Sequence, residues 1–365
     1  MDETRENSLA CACCGCEIDD GDYYLVEGDV VCPTCYEDEC GSCDRCGTFI
    51  YSENAVTDSN HFLCQCCYDD HYTRCYDCDR IVHNDDSYYA DGYDFCYNCY
   101  EKHSSSIREY SYKPTPILYG QGKRFLGIEL EVDNGGHDNE NAEELLEISN
   151  RNEEHIYIKS DGSLDDGFEI VTHPMTLDYH LNDFCWSDIL HRAVQMGYRS
   201  HQTNTCGLHV HVSRDGLGET EIDQEDTISK ILFFVEVHWN ELLKFSRRTE
   251  YTMNRWAARR GYEHDPKKLY DKAKSDYNRY VAVNLCNRAT IEFRLFRGTL
   301  KLNTLLATLQ LVEHICTTAM TLTEYDLKAL SWSEFVSNIT EPELIQYLKE
   351  RRLYINEEIH NEEEM

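Results

Sequence analysis

Basic side chains are scarce in this 365-residue chain: 34 Lys and Arg stand against 68 Asp and Glu, a formal charge of −34. So acidic a surface is repelled by the phosphates of nucleic acid and by anionic lipid, so neither is an expected partner. Long apolar runs are also missing, and no stretch reaches the ~20 residues that a membrane-spanning helix requires. The opening MDETRENSLA lacks the basic-then-apolar layout of a secretory signal, and a cytoplasmic location is the expectation. Cysteine is sparse over most of the length: only Cys185, Cys206, Cys286 and Cys316 follow residue 99, whereas sixteen lie between Cys11 and Cys99. Without a secretory signal, dense C-x-x-C pairs point to metal rather than to disulfides.

Twelve of those sixteen are periodic. Cys43, Cys46, Cys64 and Cys67 read C-x2-C-x17-C-x2-C, and Cys75, Cys78, Cys96 and Cys99 repeat that pattern 32 residues later. Cys11, Cys14, Cys32 and Cys35 stand 32 residues earlier, so residues 1–104 hold three tandem units at about 11–35, 43–67 and 75–99. Other positions keep the beat: Ile18, Ile50 and Val82; Val31, Leu63 and Phe95; Tyr36, Tyr68 and Tyr100. Gly28, Asn60 and Gly92 each suit a left-handed turn. Each unit is predicted as two cysteine knuckles joined by a β-hairpin around one structural Zn²⁺ held by four thiolates. About thirty residues bury too little surface to fold alone, so the metal supplies much of the folding free energy. Cys13, Cys16, Cys40 and Cys66 fall outside the period and read as spare thiols, although CACCGC at 11–16 leaves a competing grip by Cys13 and Cys16 open. Pairing within each unit is preferred to a cross-brace, which the spacings also allow. The units resemble LIM-like zinc modules, notably in DGYDFCYNCY at 91–100, but lack the histidine ligand and close spacing of that pattern. The resemblance implies a binding or scaffolding role, and four-cysteine sites leave no open position for chemistry.

A linker at 105–120, with serine and proline, separates these units from a second domain at 121–330, with a C-terminal helix and acidic tail at 331–365. Four stretches of the second domain alternate apolar and ionisable residues: FLGIELEVD (125–133), GFEIV (167–171), GLHVHVS (207–213) and TIEFRLF (290–296). Strand side chains alternate faces, so each segment has one apolar and one polar face. A water-facing sheet would carry a mixture of Lys, Thr, Ser and Glu. Here the polar positions hold Glu129, Glu131, Glu169, His209, His211, Glu292 and Arg294, which fits carboxylates and imidazole converging on Mg²⁺ or Mn²⁺. The predicted fold is α+β, a curved antiparallel sheet funnel covered by helices at 141–150, 226–247 and 303–320, with a further helix beginning near Thr340. The end at 362–364 reads as solvated.

Between Arg247 and Arg279 ten Lys or Arg face five Asp or Glu, a local reversal of the overall charge. Helices laced by salt bridges would explain it, and so would a cationic wall for a polyphosphate. Arg288, Arg294 and Arg297 could serve the same end, because guanidinium forks match phosphate oxygens. Cys206 beside two histidines invites a Cys–His hydrolase reading, but no activating motif accompanies it.

FLGIELEVD, KSDGSLDDGFEIVTHP, CGLHVHVS and RATIEFRLFRGTL, in that order, resemble the amidoligase family, relatives of glutamine synthetase and glutamate–cysteine ligase. The resemblance runs from about Phe125 to Leu300. It implies a glutamine-synthetase-like sheet and ATP-dependent joining of a carboxylate to an amine, peptide or protein substrates included, through an acyl phosphate. It further implies that Glu129, Glu131, Glu169, His209 and Glu292 hold Mg²⁺ and that Arg294 meets the transferring phosphoryl group. Asp161 and Ser163, on a DGS loop, fit the family pattern, Arg297 and Arg288 stand as nucleotide contacts, and His211 is given less weight. With three Zn²⁺, ATP and Mg²⁺ as cofactors, the zinc array would recruit a protein partner or the substrate. The alternatives are an inactive scaffold and an ATP-dependent phosphotransferase.

Overall fold

The computed structural model describes residues 9–18, 21–90 and 92–354. The solvated end expected at 362–364 lies outside them. The chain divides into two compact units, residues 1–105 and 106–365.

In the first unit the 32-residue period is realised three times. Each repeat begins with a tight knuckle whose closing N–H donates to the carbonyl of the first cysteine: Gly15 to Cys11 at 2.9 Å, Gly47 to Cys43 at 2.8 Å, Asp79 to Cys75 at 2.9 Å. The donor needs a left-handed backbone, with φ of 73°, 73° and 57° in turn, which glycine adopts without strain and aspartate tolerates. A hairpin follows, as expected, at 24–31, 56–63 and 87–96. Gly28 and Gly92 take positive φ in their turns, but Asn60 does not. There the loop is closed by the Asp58 carboxylate, which accepts the N–H groups of Asn60 and His61 at 2.8 Å each. Each repeat ends in a short helix that the cysteine spacing did not disclose: Pro33–Glu39, Gln65–His71 and Tyr97–Ser104, with Cys32, Cys64 and Cys96 at the N-cap positions and the first two accepting a backbone N–H at sulfur. Val31, Leu63 and Phe95 are the buried seeds of three very small cores.

The second unit is α+β, built on one seven-stranded sheet: β1 (Ile107–Arg108), β2 (Leu126–Val132), β3 (Ile156–Lys159), β4 (Phe168–Thr172), β5 (Gly207–Ser213), β6 (Val283–Asn284) and β7 (Thr290–Arg297), in spatial order β1-β3-β4-β2-β5-β7-β6. All neighbours are antiparallel except β1 and β3, so the sheet is mixed rather than purely antiparallel. β1 arises within the segment read as a linker, where Ile107 and Arg108 pair with Ile158 and Lys159. The four alternating stretches form the four central strands β4, β2, β5 and β7. Their apolar positions, among them Ile128, Leu130, Ile170, Leu208, Val210 and Ile291, are completely buried against helices.

Helices α1 (Asn139–Ser149), α2 (Leu177–Asn182), α3 (Trp186–Gln195), α4 (Glu221–Val237), α5 (Trp239–Ser246), α6 (Glu250–Trp256), α7 (Pro266–Lys274), α8 (Leu302–Thr321), α9 (Glu324–Ala329), α10 (Trp332–Ser337) and α11 (Pro342–Glu350) complete this layer. The helix expected over 226–247 breaks at His238 into α4 and α5. Residues 227–236 of α4 and 304–312 of α8 are buried without interruption, so both helices are covered on every side over these stretches. The terminal helix starts at Pro342 and is capped by Glu341, one residue beyond Thr340. Among the described residues no helix is long and apolar enough to cross a membrane.

Candidate active site and metal centres

Register places the polar positions of the sheet side by side. Glu129 lies directly opposite His209, Glu131 opposite Glu169, Glu169 opposite Lys159, and His211 opposite Glu292, which in turn faces Asn284. Between β5 and β7 the pairing slips: Leu208 faces Phe296 while Val210 faces Phe293, so Arg294 and Leu295 share the place opposite His209. Such a bulge re-aims a side chain, and here it sets Arg294 in an ion pair with Glu292.

His209 Nδ1 lies 3.2 Å from Glu129 Oε2 and 3.6 Å from Glu292 Oε1, and His211 Nε2 lies 3.1 Å from Glu129 Oε1. Lys159 Nζ sits 3.1 Å from Glu169 Oε2. Asn284 donates to Glu292 at 2.8 Å, and the Gly207 N–H donates to Glu131. Glu131, Glu169, His209 and Glu292 are all buried, although an ordinary polar face would meet water. Burial pushes Glu169 well above the usual carboxylate range, and the neighbouring Glu129 charge pushes it further. Burial acts the same way on Glu129, but His211 and His209 outweigh it and hold that carboxyl well below its ordinary value. Burial also raises Glu131, partly offset by His209. Four carboxylates this close cannot all stay ionised unaided.

The residues fit a divalent cation. Ligand atoms of Glu129, Glu169 and His209 lie within 4.8 Å of one another. Two buried atoms here, Glu169 Oε2 and His211 Nε2, make no hydrogen bond despite their ion-pair neighbours. A bound cation would stabilise the ionised carboxylates and use both atoms.

Arg297 is half-buried and spends its guanidinium on backbone, donating to Thr203 O at 3.1 Å and Arg247 O at 3.4 Å. Asp161 lies close enough to Glu131 to raise it, and Ser163 donates its N–H to the Asp161 carboxylate at 2.7 Å. Arg288 is exposed on the turn between β6 and β7, and no hydrogen bond or ion pair ties it to the carboxylates. Asp133, next in the alternation, is structural, its carboxylate filled by the N–H groups of Asn134, Asp165 and Asp166 and by Thr205 Oγ1. Burial pushes the Cys206 thiol up to about 12, which removes it as a nucleophile.

Lys159 and Arg248 are functional candidates that the alternation pattern missed. Lys159 ends β3, a strand too short to be read from IYIK alone, and the DGS motif two residues on was its only signal. Arg248 belongs to the basic segment. Most of that segment is structural: Arg259 pairs with Glu236, Arg260 with Asp276, and Lys274 with Glu225. Arg248 instead donates twice to Phe296 O, at 3.2 and 3.0 Å, beside Arg294 and Arg297, and burial lowers its pKa to about 10. Guanidinium groups bonded to carbonyls keep their charge, so Arg248 and Arg297 leave a local positive field next to the carboxylates.

In the first unit all sixteen cysteines are free thiols. The Sγ–Sγ separations Cys14–Cys32, Cys46–Cys64 and Cys78–Cys96 are each 3.8 Å. Tetrahedral Zn–S bonds of about 2.3 Å require S–S edges of about 3.8 Å, so three clusters of cysteine fit zinc modules. Cys43, Cys46, Cys64 and Cys67 form one, and Cys75, Cys78, Cys96 and Cys99 another, each within its own repeat. In the first, Cys11, Cys14 and Cys32 are joined by Cys16, and Cys35 also reaches Cys14, Cys32 and Cys11.

No family model and no curated protein matches the chain. Among solved structures, the crystal structure of a bifunctional glutathione synthetase from Pasteurella multocida is similar over 63% of this chain and 46% of that one, at 14% identity and a TM-score of 0.34. The chain thus spans less than half the length of that protein.

Proposed function

We propose that the second unit is an ATP- and Mg²⁺-dependent carboxylate–amine ligase of the amidoligase kind on a glutamine-synthetase-like sheet. In this reading the first unit carries three structural zinc ions and recruits a protein partner or a macromolecular substrate in the cytoplasm. The observation that supports it most is the buried face on which Glu129, Glu131, Glu169, His209 and Glu292 meet beside Arg294, Arg248 and Arg297.

Glu129, Glu131, Glu169, His209 and Glu292 would hold the divalent ions, with Mn²⁺ as the substitute that imidazole tolerates best. Such ions offset the repulsion between a triphosphate and an attacking carboxylate. Lys159 restrains Glu169, Asn284 restrains Glu292, and His211 keeps Glu129 ionised. Arg294, with Arg248 and Arg297 behind it, faces the phosphoryl group, where a fixed cation stabilises the charge that develops in transfer. A substrate carboxylate oxygen forms the new bond to phosphorus while the bond to ADP breaks. The amine then attacks the acyl carbon, phosphate departs, and an amide remains. Asp161 and Ser163 border this space at the Glu131 end. Arg288 plays no part in this scheme.

Incubating the full chain with ATP, Mg²⁺, hydroxylamine and a panel of carboxylates should yield hydroxamate and ADP. Glu292→Gln should reduce both at least 100-fold while leaving the tryptophan emission of the second unit unchanged. Neither product with any carboxylate, together with no nucleotide binding, would overturn the ligase reading.

A further inference from the structure

The first zinc module has more sulfur than a tetrahedral ion can use. Cys11, Cys14, Cys16 and Cys32 present ligand atoms within 4.8 Å of one another, and Cys35 reaches Cys14, Cys32 and Cys11 from its own helix. Five thiols therefore crowd this module, Cys16 and Cys35 each lying beside the shared trio of Cys11, Cys14 and Cys32. The second and third modules gather four.

The fifth thiol comes from a position that points at the metal in this scaffold. Cys16 follows the second knuckle cysteine by two residues, as Thr48 does in the second module and Arg80 in the third. Thr48 Oγ1 lies 3.2 Å from Cys46 Sγ, so a side chain at that place touches the ligand sphere. Cysteine there offers a thiolate instead of a hydroxyl, and zinc takes the softer donor. Cys35 is the periodic fourth ligand, equivalent to Cys67 and Cys99, and lies in the first turn of the helix that Cys32 caps. Neither thiol is sealed in: Cys16 is exposed and Cys35 half-buried, while Cys11 and Cys32 are buried.

We propose that the first module binds Zn²⁺ through interchangeable sets of four thiolates, with Cys11, Cys14 and Cys32 constant and Cys16 and Cys35 alternating as the fourth. This rests on reading the three clusters as zinc sites. Zinc has no geometric preference beyond the tetrahedron, and one thiolate can enter as another leaves. At any moment one of the two thiols is uncoordinated next to the ion. The first zinc is thereby the exchangeable one, whereas the second and third sit in closed sets.

Metal analysis of the full chain tests this. The unsubstituted protein should hold three zinc ions, and Cys16→Ser and Cys35→Ser should each keep three, whereas the double variant should fall to two. Cys67→Ser and Cys99→Ser, which have no replacement thiol, should each fall to two. Brief alkylation of the zinc-loaded protein, followed by mass spectrometry, should label the exposed spare thiols Cys13, Cys66 and Cys286 and, among the five thiols of the first site, divide the remaining label between Cys16 and Cys35. A Cys35→Ser variant with two zinc ions, or label within that site on Cys16 alone, overturns the interchange in favour of the fixed periodic set. Four zinc ions in the unsubstituted chain also overturn it, since a second ion would then use the neighbouring Cys11, Cys13 and Cys35 group. Fewer than three would remove the zinc reading itself, and the interchange with it.

Discussion

Gly207 opens β5 at the point where three candidate side chains close in. A Cβ at this position would stand 2.7 Å from Arg248 Nη2, 2.8 Å from His209 Nε2 and 3.3 Å from Glu131 Oε2. All three atoms end movable side chains, so Gly207→Ala can be accommodated by pushing them aside. The expected result is a small loss of stability, about 1 kcal/mol, with hydroxamate formation down about 100-fold, because displacing reacting groups by an ångström is costly. An unchanged rate would detach this corner from the chemistry. The residue scale is also where sequence reading reached furthest and then stopped. Glu129, Glu131, Glu169, His209 and Glu292 were legible because strict alternation fixes which residues share a face. His211 was undervalued because only register shows that it stands against Glu129 and opposite Glu292. Arg248 was hidden because what distinguishes it from its basic neighbours is the pairing of those neighbours, a tertiary fact.

Elements are locked together by side chains whose protonation matters. His180 on α2 donates Nε2–H to Leu126 O of β2 at 3.0 Å and accepts the Trp186 indole N–H from the start of α3 at 3.2 Å. The indole bond requires a neutral Nδ1, whereas the carbonyl bond survives protonation; burial outweighs that bond and pushes the pKa down to about 4. The unfolded chain protonates this histidine near the ordinary value of about 6.5. Below that pH the unfolded state binds a proton that the folded state refuses, so stability is full above about 6.5 and declines as pH falls toward 4. The total approaches about 3 kcal/mol, of which about 2 kcal/mol is lost by pH 5. All four tryptophans, Trp186, Trp239, Trp256 and Trp332, lie in the second unit, so urea unfolding followed by their emission isolates it from the zinc modules. His180→Asn should start less stable but lose less between pH 7 and pH 5; equal losses would remove His180 as the cause. Element positions were largely readable, since the four central strands and the helix at 302–321 follow from periods of 2 and 3.6. The edge strands β1 and β6 were not, because two residues carry no period, and the short helices that follow Cys32, Cys64 and Cys96 were masked by the very spacing that revealed the cysteine clusters.

At the scale of the whole molecule, the two kinds of metal site proposed imply two kinds of stability. Among its described residues the first unit has three tiny hydrophobic clusters, around Val31, Leu63 and Phe95, so on the proposed reading its folded state would depend on thiolate–zinc bonds. The second unit owns one extensive core, from Leu126 through Leu309 to Leu353, and folds on buried apolar surface. On the proposed reading its carboxylate face would use cations for charge balance and not for cohesion. Chelation should therefore act selectively. Adding a strong zinc chelator to the full chain should release three zinc ions and collapse the tyrosine near-ultraviolet signal of the first unit, while tryptophan emission stays native. Calorimetry should show two transitions, the first abolished by the chelator and the second retained. ATP with Mg²⁺ should raise only the second, by about 2.7 kcal/mol of added stability at a hundredfold excess over its dissociation constant. A single transition that moves as a whole with zinc would contradict this division, because it would mean that the large core also depends on the thiolate sites. A second transition unmoved by ATP and Mg²⁺ would instead leave the division standing and remove the nucleotide from the carboxylate face.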